Sequence, residues 1–389
     1  MKNSNSYSFY DWFIPIFYIF AQYGYGFLNV GTILLISYTI YSFIKVRNWV
    51  ISKPLLFFTF VISFIQITNM LFRGYLEIVN FNTWIMPLIS LLIVFTAINK
   101  INYNRLYIVY KYVGILSMII LYFQWFMYMF LNIIPTPVKI LPESTDIYYN
   151  FTQSIIRPSS LFSEPQAYAS FMIPLLVMAL EREKKIFSLF IILSIFFSGS
   201  TLGIFLCSFI SIYYIFLSKR QILTKISIVF FILSVGYFWL YSEYFSLQQA
   251  KINSINFEND IRIIKGFQIF STFNSIDILF GIGDGAKILS DYNSINHIKL
   301  GTKNIFDYSS YITTVSNNFV SYGLIGGVMF LWMMIRFYKY EDKTKRLFLF
   351  VIIIASFGQT LLFNGFFLMY YITYLGICNK SENSINYIT

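Results

Sequence analysis

Charge is scarce in this sequence: only 12% of its 389 residues are Asp, Glu, Lys or Arg, where globular domains average roughly 25%. Hydrophobic residues reach 57% and aromatics 21%. Burying that much apolar side chain takes more interior than a chain of this length can form, so a soluble fold is excluded and lipid must solvate most of the surface. Cysteine is nearly absent. Cys207 and Cys378 both lie inside apolar runs, which excludes a disulfide framework and a zinc site. The single histidine, His297, has no ligating neighbours around it. Neither a phosphate-binding P-loop nor an Asp-x-Asp pair occurs, so nothing is in place to hold the divalent cation of a nucleotide-sugar enzyme. No metal and no cofactor is expected. The start carries one Lys and no small-residue cleavage site, which predicts no removable signal peptide.

What is present is a succession of apolar runs. Those long enough to cross a bilayer lie near 27–44, 54–72, 84–99, 106–131, 166–180, 186–199, 201–217, 226–242, 316–335, 347–362 and 364–378. The predicted fold class is therefore all-α, a polytopic integral membrane protein with about eleven transmembrane helices, read as one membrane-embedded domain over 1–389. Residues 9–24 form either an interfacial helix or an additional span, and Ser198-Gly199-Ser200-Thr201 predicts a tight hairpin between two short spans. No solenoid repeat and no low-complexity linker divides the chain.

The formal charge of +11 would suggest nucleic acid in a soluble chain, but its distribution excludes that partner. Lys45, Arg47 and Lys53; Lys100, Arg105 and Lys111; Arg182, Lys184 and Lys185; Lys219, Arg220 and Lys225; Arg336, Lys339, Lys343, Lys345 and Arg346; and Lys380 fall on alternate connections. By the positive-inside rule these are cytoplasmic. The opposite face carries Arg73 and two long connections, a first outer loop over 132–165 and a long outer loop over 243–315. Within the second, 260–273 reads as a surface helix: Ile263, Ile264, Phe267 and Phe270 recur at helical spacing, while Arg262 and Lys265 share another face. Gly281-Ile-Gly283-Asp-Gly-Ala286 fits a dinucleotide pattern formally, yet no βαβ unit surrounds it, and it reads as a turn.

The most informative stretch is Arg157-Pro158-Ser159-Ser160-Leu161-Phe162-Ser163-Glu164-Pro165-Gln166-Ala167-Tyr168, where the first outer loop re-enters the membrane. An Arg and a Glu seven residues apart on a Pro-punctuated segment are costly at membrane depth unless they serve something. One reading is an interfacial salt bridge. The other is a polar site facing a cavity, in which Arg binds phosphate oxygens and Glu acts as base or hydrogen-bond acceptor.

This segment resembles the one that opens a transmembrane span in bacterial O-antigen and capsule repeat-unit polymerases and the related O-antigen ligases. Further landmarks follow in that family's order. Phe197-Ser-Gly-Ser-Thr201-Leu-Gly203 is similar to its turn between two spans, with Thr201 where many members carry Arg. Asp260-Ile-Arg262 starts an outer-loop helix running to Phe280-Gly281-Ile-Gly283, and Ser316-Asn317-Asn318 followed by Gly323-Leu-Ile-Gly326-Gly327 is similar to the His-Asn segment and its glycine-containing span. The resemblance covers roughly 150–335, and the ligase histidine is replaced by Ser316 or Asn317.

The resemblance implies a metal-independent membrane glycosyltransferase of the cytoplasmic membrane, joining undecaprenyl-diphosphate-linked oligosaccharides on its outer face. It implies Arg157 and Arg262 as stabilisers of the diphosphate leaving group, with Glu164 as first choice and His297 as second for the proton acceptor. Lys265, His297, Asn317 and Asn318 are the expected substrate-binding residues, and a flippase and a chain-length regulator the expected partners. The alternatives are an O-antigen ligase and a lipid-linked oligosaccharide flippase. Flippases lack a long outer loop, and transporters often show inverted repeats.

Overall fold

In lipid, every backbone N–H and C=O must be met within its own segment, so apolar runs of this length fold as α-helices. The computed structural model describes residues 8–21, 23–25, 28–45, 51–74, 78–98, 100–133, 138, 140–141, 158–182, 184–217, 264–285, 288–289, 312–338, 343–359, 361, 363 and 365–380. They form α1 (Phe9–Ala21), the antiparallel pair β1 (Gly24–Tyr25) and β2 (Leu28–Asn29), α2 (Val30–Lys45), α3 (Lys53–Arg73), α4 (Ile78–Ile98) and α5 (Tyr103–Leu131). Then follow α6 (Pro165–Glu181), α7 (Lys185–Ser198), α8 (Thr201–Leu217), α9 (Ile264–Ser271), α10 (Ser275–Phe280), α11 (Thr314–Tyr338), α12 (Lys343–Gly358) and α13 (Gly365–Lys380). Every stretch expected to span falls on one of these helices except 226–242, which lies outside the described residues.

Among the described residues, α3, α5 and α11 are long and apolar enough to cross a membrane, and several shorter helices are equally apolar. Their surfaces show which solvent they meet. On α3, Phe57, Phe60, Phe64, Ile67 and Leu71 form an exposed stripe at three- and four-residue spacing, while Thr59, Ser63, Gln66 and Asn69 are buried. Ile108, Tyr112, Leu116, Ile119, Phe123, Phe126 and Phe130 do the same on α5, and Leu324, Val328, Leu331 and Ile335 on α11. Apolar residues outward and polar residues inward is the inverse of a water-soluble helix. The chain is a membrane protein.

The chain forms two units, Met1–Leu34 with Ile101–Ile255, and Leu35–Lys100 with Asn256–Thr389. In the first, α6 is buried nearly all round and packs against α5, α7 and α8. Gly203 permits the α8 contact: a Cβ there would sit 2.4 Å from that of Ala169. Asn102 opens α5 by accepting the N–H groups of Asn104 and Arg105, and its own N–H reaches Asp11 of α1 at 2.7 Å. The hairpin between α7 and α8 turns at Gly199, which takes left-handed φ 67°.

In the second unit, α3 packs on α4 and α11, α11 on α12, and α13 on both α4 and α12. Thr314 anchors the start of α11: its N–H and hydroxyl both donate to the Gln359 carbonyl, and its oxygen accepts from Leu361 N–H at 2.5 Å. Helix α9 lies on this same first turn, with Gly266 so close that a Cβ would meet Ser316 at 2.3 Å. The expected amphipathic helix over 260–273 is described as α9 only. Its inward residues are Gly266 and Ile269, with Phe267 among the exposed side chains, and Phe273 is buried just beyond its end.

Candidate functional site

In the first unit, residues 158–164 enter α6 without regular structure. Irregular backbone buried among spans needs donors and acceptors from neighbouring helices, and α5 supplies them. Gln124 accepts the Ser160 N–H at 2.9 Å, and the Ser117 carbonyl accepts its hydroxyl at 2.7 Å. Ser160 itself stands at φ 58°, a conformation that costs a non-glycine residue on the order of 1–2 kcal/mol and persists only when surroundings impose it. Phe162 is fully buried, with Tyr18, Tyr168 and Phe171 rings 5.0 to 6.1 Å from it. Glu164 follows in extended conformation as the cap of α6, ahead of Pro165, and its side chain makes no capping bond. Its carboxylate is exposed.

In the second unit, three polar side chains of α3 converge on residues 277–284. Gln66 holds the Asp284 backbone from both sides, accepting its N–H at 2.7 Å and donating to its carbonyl at 3.0 Å, and also donates to Thr83 of α4 at 2.7 Å. Asn69 donates to the Phe280 carbonyl at 3.1 Å. Arg73 pairs with Asp277 and reaches the Gly281 carbonyl at 3.5 Å. Residues 66, 69 and 73 share one face of the helix. They carry this segment about 10 Å along α3 at 1.5 Å per residue.

Asp277 is 3% exposed and also accepts from Asn274 at 2.8 Å, whereas the Arg73 side chain is 26% exposed. Removing one partner of a buried pair costs about 3–5 kcal/mol, and the partial exposure of Arg73 reduces this through solvent screening. Arg73→Ala is therefore expected to destabilise the protein by about 2–3 kcal/mol. Arg73→Ala/Asp277→Asn should cost less than the sum of the single changes. Thermal unfolding of detergent-purified single and double variants measures the coupling; strict additivity would mean that the two side chains are independent.

The other half of the arrangement is α11, which is not a continuous helix. Gly323 adopts φ 66°, ψ −164°, and the break frees the carbonyls of Val320 and Ser321. Ile282 and Gly283 take them as backbone acceptors at 3.1 and 2.9 Å. Residues 281–284 thus run beside the broken helix as an added backbone partner. The Asp284 carboxylate meets Asn317 Nδ2 at 3.3 Å and shares the single Ser321 hydroxyl proton, at 3.4 Å, with Asn317 Oδ1, at 3.0 Å. Enclosure of this carboxyl raises its pKa above the ordinary value; hydrogen bonds from Asn317, Ser321, Tyr322 and the Gly285 N–H oppose the shift without cancelling it.

Of the expected site residues, Glu164 belongs to the first unit and Asn317, Asn318 and Lys265 to the second. Asn317 is half-buried beside Asp284, whereas Asn318 is fully buried and donates to the Thr314 carbonyl of its own helix at 2.8 Å. Lys265 is the second residue of α9. Arg157, Arg262 and His297 lie outside the described residues, as do most of 132–165 and 243–315. Asp284, Gln66 and Asn69 were not singled out from the sequence. Their signal was present as polar residues at three- and four-residue spacing within an apolar span, and as an acid inside a glycine-rich turn. Among the described residues, no group of three or more His, Cys, Asp or Glu side chains gathers to hold a metal. No protein-family model matches the chain, and no curated protein matches it.

Proposed function

We propose that this protein polymerises lipid-diphosphate-linked oligosaccharide repeat units into a surface polysaccharide, on the outer face of the cytoplasmic membrane, through about eleven spans. The observation that carries the reading is the segment 158–164: irregular backbone held by Gln124 and Ser117 inside a membrane protein, ending on an exposed carboxylate where α6 begins. Irregular backbone at membrane depth is tolerated where it is buried in protein or lines a polar cavity, and here it immediately follows Arg157. Departure of a diphosphate from an anomeric carbon builds negative charge, which Arg157 and Arg262 would stabilise with Lys265 assisting. Asn317, Asn318 and His297 are the proposed contacts to the sugars. The carrier is a polyprenyl diphosphate, with undecaprenyl diphosphate implied by the resemblance, and a flippase and a chain-length regulator are the proposed partners.

The test is the ladder of surface-glycan lengths from a deletion strain. Loss of the gene should leave single repeat units attached to their surface acceptor, and complementation should restore the ladder. Loss of all surface glycan, single repeats included, would assign the protein to ligation or flipping instead.

A further inference from the structure

The second unit holds two carboxylates on one short segment, in opposite circumstances. Asp277 is buried against Arg73 and Asn274, so its charge is compensated and committed to the fold. Asp284 retains partial exposure, and every partner the described residues give its carboxylate is neutral: the Asn317 amide, the Ser321 and Tyr322 hydroxyls and the Gly285 N–H. Its backbone needs no help from the carboxylate. Gln66 grips both its N–H and its carbonyl, and Ile282 and Gly283 bond to the broken helix on the preceding side. An amide or hydroxyl side chain would satisfy Asn317 and Ser321 without confining an ionisable acid there. The segment is thus immobilised by other groups, while two of the contacts to the acid it presents, from Asn317 and Ser321, are 3.3 and 3.4 Å, long enough for an incoming hydroxyl to replace one.

On the polymerase reading, on which this rests, we infer that Asp284 is the proton acceptor for the attacking sugar hydroxyl. The hydroxyl oxygen forms a bond to the anomeric carbon of the donor chain. The bond from that carbon to the diphosphate oxygen breaks, with its electron pair leaving on the diphosphate, and the hydroxyl proton passes to Asp284. Glu164 is less suited to this role, because its side chain is exposed and a general base must be held within hydrogen-bond reach of its proton. The neighbourhood also sets the pH response. Tyr322 faces Asp284 from α11, Arg73 of α3 is engaged by Asp277 of α10, and Gln66 of α3 and Thr83 of α4 are neutral. Enclosure raises the pKa of the acid from its ordinary value, so the reactive, deprotonated form accumulates at higher pH than for a free aspartate.

The experiment uses the full-length protein in nanodiscs, supplied with the lipid-linked repeat units that accumulate in the deletion strain, and records initial polymerisation rates from acidic to neutral pH. Wild-type protein should speed up as pH rises, along a limb shifted upward from that of a free aspartate. Asp284→Asn should be slower by about 10²- to 10⁴-fold and lack that limb, and Asp284→Glu should retain an intermediate rate with the limb displaced. A wild-type rate in Asp284→Asn, or a slow rate with the limb intact, overturns the assignment. Should Asp284→Asn unfold, Asp284→Glu decides, because an undisplaced limb excludes this group as the one titrating. Wild-type protein that folds, binds the lipid-linked units and builds no longer chains overturns the polymerase reading itself, and with it this role.

Discussion

Gly281→Ala should lower the thermal unfolding midpoint of the purified protein far more than Gly74→Ala. Both glycines occupy left-handed backbone, at φ 70° and 73°, so each substitution carries a conformational cost of about 1–2 kcal/mol. Their surroundings differ. A Cβ at Gly74 meets nothing within 4 Å, whereas one at Gly281 would lie 2.4 Å from the Ser321 carbonyl group and 2.5 Å from the Tyr322 nitrogen. All of those are backbone atoms, which cannot swing aside as a flexible side chain can. Gly323 faces the same contact from α11, where a Cβ would sit 2.3 Å from the Leu279 oxygen. Forcing such an overlap adds about 1–3 kcal/mol, for a total near 2–5 kcal/mol at Gly281. The added cost should reach function as well, because the same contact positions Asp284. Equal midpoint losses in the two variants would show that the loop does not press on the broken helix.

Arg157→Ala should reduce polymerisation by about 10²- to 10³-fold while leaving protein level and membrane insertion unchanged, since its proposed task is to stabilise a departing diphosphate. Arg157→Lys should rescue little. An ammonium is a compact point charge and does not present the planar fork that matches two phosphate oxygens. The measurement is the glycan ladder from the deletion strain carrying each variant at matched expression, and Arg157→Ala is expected to leave single repeats. Wild-type ladders from that variant would remove Arg157 from the site.

The helices were legible in sequence because an apolar run in lipid has one satisfactory backbone conformation, and its length and punctuation are local properties. Pro165 at the start of α6, Gly199 at the turn before α8 and Gly74 at the end of α3 each act on their own stretch of chain. The turn over 281–285 was readable for the same reason, since glycines there permit positive φ. Glu164 stands out in the sequence as an acid beside proline at the mouth of an apolar span.

Asp284 did not stand out, since its setting comes from residues remote in the chain. Gln66 lies 218 positions away and Asn317 lies 33, and neither distance leaves a periodic trace. The stretch 316–335 read as one continuous span, because a helix broken at a glycine and a helix that merely contains one have the same hydropathy. Only packing distinguishes them: the carbonyls freed at the break are taken up by Ile282 and Gly283, a match between two segments that hydropathy does not encode. Amino-acid composition and local pattern thus determined the solvent, the helices and their caps. Tertiary structure decided which polar groups inside those helices meet, because the electrostatics of a carboxyl depend on what surrounds it in space.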